Sequence, residues 1–208
     1  MNIKIVSDGG MHRKSGASRK NDLPRSACAS YIYSDDGKVI QKLVGFLGHT
    51  SDEEAELMGG LLGLSYVKAI LPQSSTITWL TDRKTLAESA EKVKEQRHAP
   101  KSFYWEMFLA VVEQEKTKVE HLGKDSKKDY KKLIACDRAC TWIIEKGDSL
   151  LVEDASVSLG RNKTLAKEHA WNLLDLRAFM DKSISASEAA GRLTEMLLSL
   201  QNARDGLT

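Results

Sequence analysis

The sequence predicts an α/β fold in which an antiparallel meander of three strands leads into alternating helices and strands. Three observations carry that expectation. Ile3-Lys4-Ile5-Val6-Ser7-Asp8 alternates apolar and polar positions and is rich in β-branched residues, as a strand requires. Ser34-Asp35-Asp36-Gly37 then supplies an Asp-Gly turn between two further extended runs. From Ser51 onward the apolar spacing changes from two to three and four, the period of a helix.

Taken in order, the first strand ends at Asp8, and Gly9-Gly10 opens a polar, basic loop to about Pro24. Residues 27–34 and 38–47 read as the second and third strands. Ser51 and Glu54 form a capping-box pattern ahead of a helix that shows Leu57, Leu61 and Leu64 on one face and that Pro72 closes. Gly59, Gly60 and Gly63 cost that helix about 1 kcal/mol each relative to Ala, and close packing of the helix on a sheet accounts for them. Thr76 to Thr81 is the fourth strand, ending at Asp82. Lys84 to Gln96 is a charged amphipathic helix, and Phe103, Met107, Ala110 and Val111 mark another. Residues 118–122 form a short fifth strand, and 128–145 a helix with Leu133, Cys136, Cys140 and Ile144 in one stripe. The order is βββαβααβα.

Near Asp148 the pattern changes, which divides the chain into a first domain, 1–147, and a mostly helical C-terminal extension, 148–208. Residues 163–180 and 187–202 read as helices, the second opened by a Ser185/Glu188 capping box. Their apolar faces suit packing on the first domain, a homo-oligomer contact or a protein partner. His169 and Trp171 carry no signal beyond their residue type.

Composition narrows the classes. A chain of 208 residues, 41% hydrophobic and 29% charged, can build an ordinary core and is not dominated by disorder. No apolar run approaches the roughly 18–20 residues a membrane span needs, and the N-terminus meets charge too early for an export signal. Three cysteines, an odd number, fit reduced thiols and a cytoplasmic setting. The net charge is only +2, so any nucleic-acid surface must come from local clusters. Two exist: His12, Arg13, Lys14, Arg19, Lys20 and Arg25 in the first loop, and Lys124, Lys127, Lys128, Lys131 and Lys132 around the loop after strand five. Both are expected to flank the site described next and to neutralise phosphates.

The topology gathers acids at one rim. If strand one runs up, a right-handed crossover brings strand four up beside it, so Asp8 and Asp82 end neighbouring parallel strands. Glu56 sits in the first turns of the helix that starts at that rim. The helix after strand five is expected to start there too, carrying Asp137. Such convergence calls for a cation, and oxygen-only ligation suits Mg²⁺ or Mn²⁺; paired divalent ions activate and clamp a phosphodiester during in-line displacement.

Ile5-Val6-Ser7-Asp8-Gly9-Gly10, Glu54-Ala55-Glu56-Leu57-Met58, Thr78-Trp79-Leu80-Thr81-Asp82 and Ala135-Cys136-Asp137-Arg138-Ala139 resemble, in this order, the motifs of type 1 ribonuclease H over roughly residues 1–146. The resemblance implies a ribonuclease H-like mixed five-stranded sheet with helices on both faces. It also implies an endonuclease that uses two Mg²⁺ ions, with Mn²⁺ an alternative, to hydrolyse the RNA strand of RNA–DNA hybrids to 5′-phosphate and 3′-hydroxyl ends. By that resemblance Asp8 bridges both ions, Asp137 helps hold the ion that activates water, and Glu56 and Asp82 hold the ion facing the leaving oxygen. Expected substrate contacts are Gly9, Gly10, Arg13, Lys14, Lys124, Lys127 and Lys128. Since all four acids precede residue 147, a chain truncated there is expected to retain hydrolytic chemistry.

The sequence departs from the family pattern in three places. Arg83 stands where Ser often follows the third acid; Ser51, Asp52 and Glu53 replace Asn-rich residues before the helix; and the loop after strand five lacks its His, since His121 falls within the strand. His121 is therefore read as structural. Tyr104 and Trp105 read as core, and Cys136 and Cys140 as buried thiols. Gly10 argues against a proofreading exonuclease, which places an Asp-x-Glu pair on strand one. Two alternatives remain beside hybrid hydrolysis: a catalytically weak nucleic-acid-binding module of the same fold, and a related nuclease with another nucleic-acid substrate.

Overall fold

A computed structural model of the chain describes residues 1–12, 25–71, 75–123, 126–151, 171–180 and 183–206. Strand β1 (Asn2–His12) runs through the middle of the sheet. It pairs antiparallel with β2 (Arg25–Ser34), which pairs antiparallel with β3 (Val39–Gly48). On its other side β1 pairs in parallel with β4 (Thr76–Thr81), and β4 with β5 (Thr117–His121). The hairpin between β2 and β3 closes through the expected turn, with Gly37 at φ 86 and its N–H donating to the Ser34 carbonyl at 2.8 Å.

The expected five strands are extended by a sixth. Asn172–Asp175, within a segment whose composition reads as helix, is strand β6, parallel to β3, giving the order β5-β4-β1-β2-β3-β6. Both faces of this strand are covered: Trp171 and Leu173 join the core on one side, Leu174 and Leu176 the core on the other. A strand buried on both faces shows no polar alternation, so its sequence is indistinguishable from a short apolar helix. Residues 163–170 of the expected helix 163–180 lie outside the described residues.

Helices cover both faces. Helix α1 (Asp52–Ile70), α2 (Lys84–Gln96) and α3 (Phe103–Val111) lie on one, together with α5 (Ala186–Asp205), which packs on α1 and α3. Helix α4 (Lys127–Leu151) covers the other, across β1, β2 and β3. Ser51 caps α1 in a full capping box with Glu54, and Ser185 accepts from the Glu188 N–H at the start of α5. Residues 55–67 of α1 are all buried, because the sheet lies beneath and α3 and α5 above.

The β5 edge is closed chemically. The Val119 N–H donates to the Glu91 carboxylate of α2, and Lys94 Nζ donates to the Thr117 carbonyl at 2.6 Å while pairing with Glu91 at 2.6 Å. These contacts satisfy strand groups that would otherwise face solvent as a pairing template.

Candidate metal centre

Three of the four expected acids meet. Carboxylate oxygens of Asp8, Glu56 and Asp82 lie within 4.8 Å of one another, a spacing that suits one shared cation. Asp8 is on β1 and Asp82 directly follows β4, its parallel neighbour. Glu56 arrives from α1, and two glycines set how closely. A Cβ on Gly9 would collide with the backbone of Ala55 and Glu56, and one on Gly59 would lie 2.8 Å from the Asp8 carbonyl oxygen. The first turns of α1 therefore rest directly on the backbone of β1. One turn on, Gly60 seats the Trp79 ring, whose Nε1 donates to Ser7 Oγ at 2.7 Å. Close packing is thus what the helical glycines do, and Gly9, expected at the substrate, is pressed against α1.

Asp137 is exposed on α4 and lies outside the tight trio, yet its charge acts on Asp8. Helix α4 does not start at the rim. Asp129, near its beginning, accepts from Tyr33 Oη at 2.8 Å, and Lys128 Nζ lies 2.8 Å from where a Gly37 Cβ would be. Both contacts are at the hairpin end of the sheet, away from Asp8. The helix then climbs along β1: Cys136 Sγ reaches the Val6 carbonyl at 3.5 Å, and Cys140 Sγ the Asp8 carbonyl at 3.8 Å. This brings Asp137 to the rim and leaves Lys128 behind at the opposite end, correcting the expectation that the helix start flanks the acids. Lys127 is exposed at the same helix start. Gly10 pairs with Ala27 in the sheet; Arg13, Lys14 and Lys124 lie outside the described residues.

The electrostatics follow from burial. Desolvation, then the charges of Asp82 and Asp137, push Asp8 up to about 7. Desolvation, then Asp8 and Asp82, push Glu56 up to about 9, while Arg83 acts in the opposite sense. Glu56 is 6% exposed and its Oε2 is buried with no hydrogen-bond partner. An orphaned carboxylate oxygen costs free energy and faces two further carboxylates, so a divalent cation fits here better than any neutral group.

Two neighbours of the site take partners that the sequence did not indicate. Arg83 pairs with Asp52 at 2.6 Å, joining two of the three departures from the family pattern. The His121 ring, exposed as β5 ends, lies 3.0 Å from the Asp82 carbonyl through Nε2 and so braces that backbone. Tyr104 and Trp105 are core residues, 2% and 7% exposed, and the three cysteines are buried free thiols.

No protein-family model and no curated protein matches this chain. Solved structures do. LC11-RNase H1, isolated from compost, aligns with a TM-score of 0.51 at 13% identity, covering 70% of this chain and 97% of its own. The N-terminal RNase H domain of a Mycobacterium tuberculosis protein aligns at 0.52 with 17% identity, over 71% of this chain and 96% of that one. The foamy viral protease-reverse transcriptase solved with an RNA/DNA hybrid aligns at 0.55 with 11% identity, over 68% of this chain but 20% of its own. At such identities the likeness speaks for architecture. Strand order, helix placement and these neighbours agree that the chain has the ribonuclease H-like fold.

Proposed function

We propose that this protein is a metal-dependent endonuclease that hydrolyses the RNA strand of RNA–DNA hybrids to 5′-phosphate and 3′-hydroxyl ends. The observation that carries the reading is the convergence of Asp8, Glu56 and Asp82, with a buried, unpartnered Glu56 oxygen among them. Asp8, Glu56, Asp82 and Asp137 would hold two Mg²⁺ ions, with Mn²⁺ a substitute. Bound divalent cations supply Lewis-acid activation of water and stabilise charge on the leaving oxygen. The chain's own groups do the rest. Asp8, whose charge couples to those of Glu56, Asp82 and Asp137, would carry charge that two ions could share. Asp137, exposed on α4, would add a further carboxylate to that set. The rigid seat of α1 on β1 keeps Glu56 from drifting when phosphate arrives. A hybrid substrate is supported by the foamy viral protease-reverse transcriptase, a protein of similar architecture solved in complex with an RNA/DNA hybrid.

The test is cleavage of an end-labelled RNA–DNA hybrid in Mg²⁺ or Mn²⁺, beside single-stranded RNA, double-stranded RNA and duplex DNA. The expected result is cutting of RNA in the hybrid alone, with Asp8→Asn slower by orders of magnitude and hybrid affinity in Ca²⁺ preserved. Asn keeps the shape of Asp and removes the charge that two cations would share. Near wild-type cleavage by Asp8→Asn overturns the two-ion reading. Hybrid binding without cleavage in either metal supports a binding module of the same fold instead.

A further inference from the structure

The Arg83–Asp52 ion pair joins two elements that each carry a proposed ligand. Arg83 immediately follows Asp82, and Asp52 precedes Glu56 by four residues on α1, so Asp52 and Glu56 share one helix face. The guanidinium Nη2 lies 2.6 Å from Asp52 Oδ2. We propose that this pair is a strap between the end of β4 and the start of α1 that sets the separation of Asp82 and Glu56, and so the affinity of the carboxylate site for its divalent cation. The proposal rests on the metal-site reading above.

The other contacts at the two ends of that gap do different work. The Arg83 N–H goes to its own strand end at Thr81 Oγ1, 3.3 Å away, and Asp82 is otherwise held by His121 through its backbone carbonyl. On the α1 side, glycine packing fixes Glu56 relative to Asp8, not relative to Asp82. Without a link, three mutually repelling carboxylates would push the more exposed Asp82 outward. The pair also removes a conflict. Unpaired Asp52 would be one more negative charge beside Asp8 and Glu56, both of which already feel it. Asp52 and Arg83 are positioning residues here, with no contact to the reacting atoms required.

A strap and a simple pair of charges predict opposite signs. If only charge mattered, Arg83→Met would remove a repelling cation and tighten metal binding, and Asp52→Ala would weaken it, the two adding in the double variant. For a strap, either single change breaks the same link. Both then weaken binding by about fivefold, and the double variant is no worse than either alone. The measurement is calorimetric titration of Mn²⁺ into the full chain, for wild type, both single variants and the double variant, with Asp8→Asn as the site control. Melting temperature, recorded without metal, should change little for a partly exposed pair, which separates loss of the site from loss of the fold. Tighter or unchanged Mn²⁺ binding by Arg83→Met, where wild type binds and Asp8→Asn does not, overturns the strap and leaves the metal site standing. Wild-type binding that Asp8→Asn does not diminish overturns the metal reading and the strap with it.

Discussion

Glu56 shows how much a single side chain can be asked to absorb. It is buried, faces Asp8 and Asp82, and is pushed up to about 9, with Asp8 pushed up to about 7. Both lie above the ordinary carboxyl range near 4, so between the two limits the folded state binds more protons than the unfolded one. Stability of the metal-free protein should therefore fall as pH rises from about 5 to about 9 and level off above that. Thermal melts in chelator across this range measure the slope; Glu56→Gln should flatten it, and Mg²⁺ should reverse it by replacing the protons. A flat profile in the wild-type protein would mean that the acids ionise without mutual cost. The candidate acids themselves were singled out in the sequence by short motifs, with Asp8 on β1, Asp82 just after β4, Glu56 in the early turns of α1 and Asp137 within α4. The partners of those acids were not. Arg83 and Asp52 are separated by 31 residues, and only the fold makes them neighbours.

Helix α1 is the element on which the site depends. Its run of apolar residues and glycines carries weak amphipathic character because it is covered on all sides. The glycines read as packing residues from sequence, and each meets a specific partner: Gly59 the Asp8 carbonyl, Gly60 the Trp79 ring, Gly63 the Ile5 side chain. Gly60→Ala would drive a methyl into a fully buried indole, and overpacking of this kind costs about 1–3 kcal/mol. Because the displaced helix carries Glu56, denaturant unfolding should show that loss while Mn²⁺ affinity also falls. Ala at the open Gly191 of α5, which meets nothing nearby, should affect neither. Helix α4 teaches the converse lesson. Its apolar stripe was evident, but its direction of approach was not, since a buried Tyr33–Asp129 hydrogen bond anchors its start at the hairpin end.

At the scale of the whole molecule, the C-terminal segments are built into the fold. Leu193, Leu197 and Leu200 of α5 belong to the same core as Leu61 and Phe108, and Tyr66 Oη donates to Gln201 at 3.0 Å across that contact. Leu197→Ala, at a fully buried position, should cost about 2–5 kcal/mol. Cleavage per folded molecule should stay near wild type, because none of the proposed acids lies on α5; a selective loss of activity at full stability would show that α5 reaches the site. A chain cut after residue 147 uncovers this core, so any chemistry it retains comes with a lower melting temperature. The described residues contain no helix long and apolar enough to cross a membrane. Local pattern alone was enough to establish the strand and helix order through α4 and the capped helix starts, and to single out the four acids as candidates, because each depends on residues within a turn or two of one another. Only the tertiary structure decided that 172–175 is a strand, that Lys128 sits away from Asp8, that three acids draw together with the fourth beside them, and that Arg83 holds Asp52. Those outcomes depend on which distant segment supplies a hydrogen-bond partner, a packing surface or a countercharge, and no local spacing encodes that choice.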